Sequence, residues 1–264
     1  MELIKQLREI TGAGMVDCKK ALDETANDLQ KAVELLRKKG IAKAAKRTDR
    51  ETNEGVVKVA INESANQAYI LSLTSETDFV ARNEKFQAFA EAVMAVAMKN
   101  EVDNLESLLA LPLEQGSVKE DLDNLSGTIG EKMELAKFAR LDGASVAAYS
   151  HLGGKIGVVV ALDQAGKEEL ATEIAMQVAA ANPKYLESSE VDPSELEKEK
   201  DIYREQLLKE GKPAEMVEKI LTGKMAKYYS EVCLIEQEYI KDDKKKIKDL
   251  LGDTKVVAFL RFSL

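Results

Sequence analysis

A chain of 264 residues can bury a sizeable core and has room for more than one domain. Apolar residues make up 45% and charged residues 32%, the balance of an ordinary soluble globular protein, and the wealth of Ala, Leu, Lys and Glu favours helix over strand. A formal net charge of −9 argues against general nucleic-acid binding, which draws on a surplus of Lys and Arg.

Cys18 and Cys233 lie far apart, with no CxxC and no Cys/His cluster at metal-ligand spacing. Both are read as buried free thiols, as in a reducing compartment. The opening MELIKQLREI is charged from its second residue and does not read as a signal peptide. The longest apolar run, IGVVVAL (156–162), is far too short to span a bilayer, so the expected place is the cytoplasm, with no membrane partner.

Residues 2–39 read as three short helices. Leu3, Leu7 and Ile10 recur at helical spacing, TGAGM (11–15) interrupts, and DCKKALDE (17–24) resumes the pattern. Asn27 is placed to cap a third helix that carries Leu29, Ala32, Val33 and Leu36 on one face, and Gly40 to end it. The stretch 41–54 is polar and charged and reads as a linker, helical or flexible; the basic run RKKGIAKAAKR (37–47) belongs with it as a solvated segment.

From Gly55 the period becomes two. Val57, Val59 and Ile61 alternate with polar or small residues, ESANQ turns the chain, and Tyr69, Leu71 and Leu73 alternate again, predicting a β-hairpin with one buried face. A helix follows over 86–98. The plan then repeats: SVAAYSH (145–151) and GVVVAL (157–162) match the first two strands at a shift of 89, and ELATEIAMQVAAAN (169–182) matches the helix at a shift of 83. The first copy therefore holds six extra residues, within TSETDFVARNEKF. Third strands are expected in KMELAKFARL (132–141) and KVVAFLRFSL (255–264), because a lone hairpin needs a further strand and a helical cover. Between 192 and 232 two charged helices joined at GKP form an αα-hairpin with a narrow apolar seam, and KDDKKKIKD (241–249) reads as an exposed helix face.

The fold class is thus α+β: residues 1–40 a three-helix module, 41–54 a linker, 55–142 and 143–264 two similar sheet-plus-helix subdomains, the second carrying the helical hairpin. No phosphate-binding loop, dinucleotide fingerprint or nucleophile elbow occurs. LGGKIGV (152–158) falls in a hairpin turn, and the lone His151 beside it reads as a structural or surface residue. The insertion is where function can be added without disturbing the scaffold. There Thr77 and Asn83 are suited to cap a turn and the following helix, and Phe79, from the residues alone, plugs the strand–helix corner.

TDFVARNEKFQAFA (77–90) and TGAGMVDCKKALDE (11–24) resemble the signatures of the bacterial elongation factor Ts family. HLGGKIGVVV (151–160), IAMQVAAANPKYL (174–186), LTGKMAKYYSEVCLIEQEYIKD (221–242) and VVAFLRF (256–262) are also similar to it, so the resemblance covers essentially the whole chain. It implies a guanine-nucleotide exchange factor, not an enzyme, that promotes GDP release from elongation factor Tu during translation elongation. It further implies that the first module, similar to ubiquitin-associated domains, docks on the partner's nucleotide-binding domain, with Met15 and Val16 as contacts. Thr77, Asp78, Phe79 and Val80 would reach the partner's bound magnesium, the Phe acting as a wedge that displaces it. His151 would touch another domain of the partner, and the helical hairpin would serve as a coiled-coil or dimerisation element, leaving a homodimer or a two-by-two complex open. No cofactor or metal of the chain's own is implied. Two departures stand out: Lys132 replaces an expected Asn, and Leu264 directly follows the last strand, where some members continue into a further helix. A different class remains as an alternative, a helix- or peptide-binding adaptor built on the first module. An enzyme using carboxylates between the repeats has no nucleophile or cofactor motif behind it.

Overall fold

The computed structural model describes residues 1–45 and 47–264; the side chains of Ile41, Lys43, Ala45, Ala214 and Glu215 lie outside the description. Three helices come first: α1 (Glu2–Thr11), α2 (Met15–Glu24) and α3 (Leu29–Ala45). Their small core gathers Leu7, Cys18, Ala21, Leu22, Ala32 and Leu36. The buried stripe of α1 differs from the expected one. Leu7 is buried, but Ile4 packs beside it while Leu3 and Ile10 are exposed. The cap of α3 also differs: Asn27 is left-handed, and Asp28 accepts the Lys31 N–H at 3.1 Å.

Gly40 does not end α3. The helix runs through it to Ala45 and packs on α7 (Val118–Ile129). A Cβ at Gly127 of α7 would lie 2.5 Å from the Gly40 Cα, so this crossing needs glycine for close backbone approach. Arg37 and Arg47 of the basic run reach α7 and its approach, through Glu120 (2.7 Å) and the Ser126 carbonyl (3.1 Å). Lys46 of the expected linker lies outside the described residues.

Strands β1 (Glu54–Ile61), β2 (Gln67–Ser75) and β3 (Met133–Asp142) form one antiparallel sheet in the order β1-β2-β3. Between β2 and β3 come α4 (Asp78–Ala81), α5 (Glu84–Lys99), α6 (Leu105–Ala110) and α7. The second sheet repeats the plan with β4 (Ser145–His151), β5 (Ile156–Leu162) and β8 (Val256–Ser263) in the order β4-β5-β8, covered by α8 (Glu168–Ala181). Both expected third strands are present. The αα-hairpin is α9 (Pro193–Lys209) and α10 (Ala214–Val232), tied at its base where Glu195 accepts from Lys184, Tyr185 and Tyr228. The 241–249 run is not one helix face: β6 (Glu238–Tyr239) pairs with β7 (Asp242–Lys246), and α11 (Ile247–Leu251) buries Ile247.

The two sheets pack face to face, with helices on their outer sides. This explains why the first hairpin is buried on both faces rather than one. Val57 pairs with Ser72 and Val59 with Ile70, so these two valines share a face with Ile70, opposite Tyr69, Leu71 and Leu73. The valine face meets Val146, Val159 and Ala161 of the second sheet, while the tyrosine–leucine face meets Phe86, Ala90 and Val93 of α5. Gly157 permits the sheet contact, since a Cβ there would sit 2.4 Å from the Val57 side chain.

Candidate functional site

The extra residues of the first copy form a braced corner between β2 and α5. Thr77 caps the single-turn α4, its Oγ1 accepting from the Val80 N–H at 3.4 Å, and Asn83 caps α5 by accepting from the Lys85 N–H at 2.9 Å. Both expected caps are therefore made. Val80 and Ala81 turn into the first core, at 8% and 5% exposure. Phe79 turns the other way and is 84% exposed, which overturns its reading as a corner plug. The reason is local: a four-residue helix can send only part of its surface inward, and Val80 and Ala81 take that place.

The corner is held across the molecule by the connection between α7 and β3. Glu131 there accepts the Thr77 N–H at 3.0 Å and the Thr77 hydroxyl at 2.8 Å. Glu76 accepts the Lys132 N–H at 2.5 Å and pairs with Arg50 at 3.0 Å. The Lys132 N–H holds the Glu76 carboxyl below the usual glutamate range; partial burial opposes the shift and Arg50 reinforces it. Lys132, where the family pattern suggested Asn, donates its ammonium to the Arg50 carbonyl at 2.9 Å and lies 3.3 Å from Glu134. Asp78 is paired within its own turn, 2.9 Å from Arg82.

The other expected contact residues are exposed as well. Met15 and Val16 open α2 at 56% and 67% exposure. The turn before them abuts the start of α5, where a Cβ on Gly12 would meet the Lys85 ammonium. His151 ends β4 on the surface, its ring stacked on Tyr149 with Nδ1 3.1 Å from the Tyr149 hydroxyl. Glu54 links this turn to the corner, since it pairs in register with Ser75 and lies 3.5 Å from Lys155. Leu152, exposed and left-handed beside His151, adds an apolar group that sequence reading passed over. Glu76 and Glu131 were also missed. The backbone N–H that each one holds lies more than fifty residues away, and one acid among many gives no local signal.

Both cysteines are buried and free. Among the described residues no group of three or more His, Cys, Asp or Glu side chains is placed to hold a metal ion, and no helix is long and apolar enough to cross a membrane. The chemistry on offer is an exposed aromatic on a hydrogen-bonded corner, with further exposed apolar residues at Met15, Val16 and Leu152, which suits contact with another macromolecule.

Comparison with known proteins gives a consistent match. The family model described as Elongation factor TS matches residues 76–264. Elongation factor Ts of Chlorobium phaeobacteroides (strain BS1) is 46% identical over 278 aligned positions, covering 99% of this chain and 96% of that protein. Elongation factor Ts of Deinococcus deserti is 44% identical, covering 100% of this chain and 99% of its own. That of Clostridium botulinum (strain Alaska E43 / Type E3) is 44% identical over 98% of this chain and 90% of its own.

Proposed function

The chain belongs to the elongation factor Ts family of translation elongation factors, and from that premise we propose that it releases GDP from elongation factor Tu by displacing the magnesium ion bound there, acting in the cytoplasm without covalent catalysis. The observation that carries this reading is Phe79, an aromatic left 84% exposed on a corner that two carboxylates brace. Exposing a Phe has no benefit to the isolated fold; a rigid, apolar side chain is useful when a partner buries it.

Magnesium bridges a bound nucleotide's phosphates to its protein, so much of the nucleotide's affinity runs through it. A factor that binds the partner best when those contacts are poor must weaken nucleotide binding by the same coupling free energy, because linkage is reciprocal. In this scheme Phe79 is the wedge. Asp78 supplies charge beside it, Val80 anchors it, and Thr77 caps the turn that presents it. Met15 and Val16 dock the first module on the partner's nucleotide-binding domain, and His151 with Leu152 touches a second domain.

The test is stopped-flow release of labelled GDP from elongation factor Tu, with wild type and Phe79→Ala, with and without EDTA. The wild type should accelerate release and Phe79→Ala should accelerate it far less. Chelating the magnesium should narrow the gap between them. A wild type without effect on release would sink the proposal; a deficit untouched by EDTA would keep the wedge and move its action away from the metal.

A further inference from the structure

We propose that Glu131 is the positioning residue of the exchange corner: its carboxylate clasps both the backbone N–H and the hydroxyl of Thr77 and so sets the direction in which Phe79 projects. The inference rests on the functional reading above and adds a residue to it.

Four observations carry it. First, α4 is a single turn, and a turn that short does not hold itself; helix nucleation is unfavourable without outside support. Second, that support is bidentate. Both Glu131 oxygens are used, one on the Thr77 N–H at 3.0 Å and the other on its hydroxyl at 2.8 Å. Bonds from neutral donors to an ionised carboxylate are stronger than neutral pairs, and two of them fix an orientation as well as a distance. Third, Glu131 is itself set by its neighbours. It follows Gly130, which closes α7 in the left-handed conformation, and its carbonyl accepts from the buried Ser126 hydroxyl at 2.6 Å. Fourth, the clasp is reciprocal. Glu76, beside Thr77, accepts the backbone N–H of Lys132, beside Glu131. Each strand-end thus gives a carboxylate to the other's backbone, and the corner has two fixed points.

The geometry divides the labour within the corner. Thr77 does not need to face a partner, since its hydroxyl is occupied by Glu131 on one side and the Val80 N–H on the other. Phe79, two residues on, is the group left free to be buried by one. Positioning matters because misplacing a reacting or displacing group by an ångström can cost orders of magnitude in rate.

The experiment uses the full chain with Glu131→Ala, Glu131→Gln, Thr77→Val and the double variant Glu131→Ala/Thr77→Val. Hydrogen exchange of the Thr77 and Ala81 amides is measured in the free protein, and release of labelled GDP from elongation factor Tu is followed across factor concentration. Glu131→Ala should lower amide protection at the corner by about tenfold or more, with sheet amides unchanged. The maximal release rate should fall about five- to tenfold, while the concentration giving half-maximal effect moves little, because the docking contacts elsewhere remain. Glu131→Gln, which keeps an acceptor for the N–H, should recover part of both losses. The double variant should cost less than the sum of the two single ones, because both remove the same bond between the Thr77 hydroxyl and Glu131. Unchanged corner protection in Glu131→Ala overturns the clasp. Lost protection with a normal release rate overturns positioning. Fully additive single effects overturn it too, since the bond between Glu131 and the Thr77 hydroxyl would then contribute nothing to release. If the wild type itself does not accelerate release, the functional reading fails and the positioning role with it, while the amide data still report whether Glu131 braces the turn.

Discussion

Phe79 and Val80 are neighbours in sequence with opposite surroundings, and their variants should separate cleanly. Phe79→Ala removes a side chain that contacts mostly water, so unfolding free energy should change by less than about 0.5 kcal/mol, as for ordinary surface positions. Val80→Ala empties space in the first core and should cost about 1–2 kcal/mol. Urea unfolding of both decides it; a Phe79→Ala loss of several kcal/mol would return the ring to the core. Glu76 adds a pH signature. Its folded-state carboxyl titrates below the ordinary glutamate value of about 4.3. Its stabilising contribution is therefore complete above that value and disappears as pH falls through the folded one. The stability gap between wild type and Glu76→Gln should be constant from pH 7 to about 5 and shrink below about 4. A gap independent of pH down to 3 would show that the Lys132 N–H and Arg50 do not favour the charged form.

At the scale of elements, the crossing of α3 over α7 joins the first module to the core. Its close approach depends on Gly127, whose added Cβ would overlap the backbone of Gly40. Gly127→Ala gains up to about 1 kcal/mol of helix propensity but forces the helices apart, at a cost of about 1–3 kcal/mol. The net effect should be destabilising and local: faster hydrogen exchange in α3, with β2 and β5 unaffected. A variant more stable than wild type, with α3 protection intact, would show that the crossing has slack. The pairing of β1 with β2 illustrates how alternation can mislead. Both strands have period two, yet register sends their apolar stripes to opposite faces, because one sheet face meets helices and the other meets a sheet.

For the whole molecule, we propose the bundle of α1, α2 and α3 as the partner-docking module and 55–264 as a self-sufficient scaffold. Among the described residues the scaffold has four apolar clusters of its own: one under α5–α7, one between the sheets, one under α8 and one at the base of the αα-hairpin. A chain of residues 55–264 should still unfold cooperatively, at a lower midpoint than the full protein, because the α7 face that receives α3 is bared. It should also bind elongation factor Tu more weakly. Loss of a cooperative transition in calorimetry would place the boundary elsewhere.

The sequence by itself determined the parts whose signals are local: period-two strands, period-3.6 helices, the Thr77 and Asn83 caps, the third strands, the αα-hairpin, and a repeat in which only the first copy carries the extra corner. Each depends on residues within a turn or two of one another, or on a pattern that recurs along the chain. Tertiary structure alone decided the rest. Gly40 looks like a helix end until α7 lies across it. KDDKKKIKD looks like one helix face until β7 finds β6. Phe79 looks like a plug until Val80 and Ala81 occupy the inside of α4. Glu131 carries no mark of its task, because the group it holds is 54 residues away along the chain. A side chain's burial and its partners follow from what packs against it, and only the folded arrangement of two sheets and their helices supplies that.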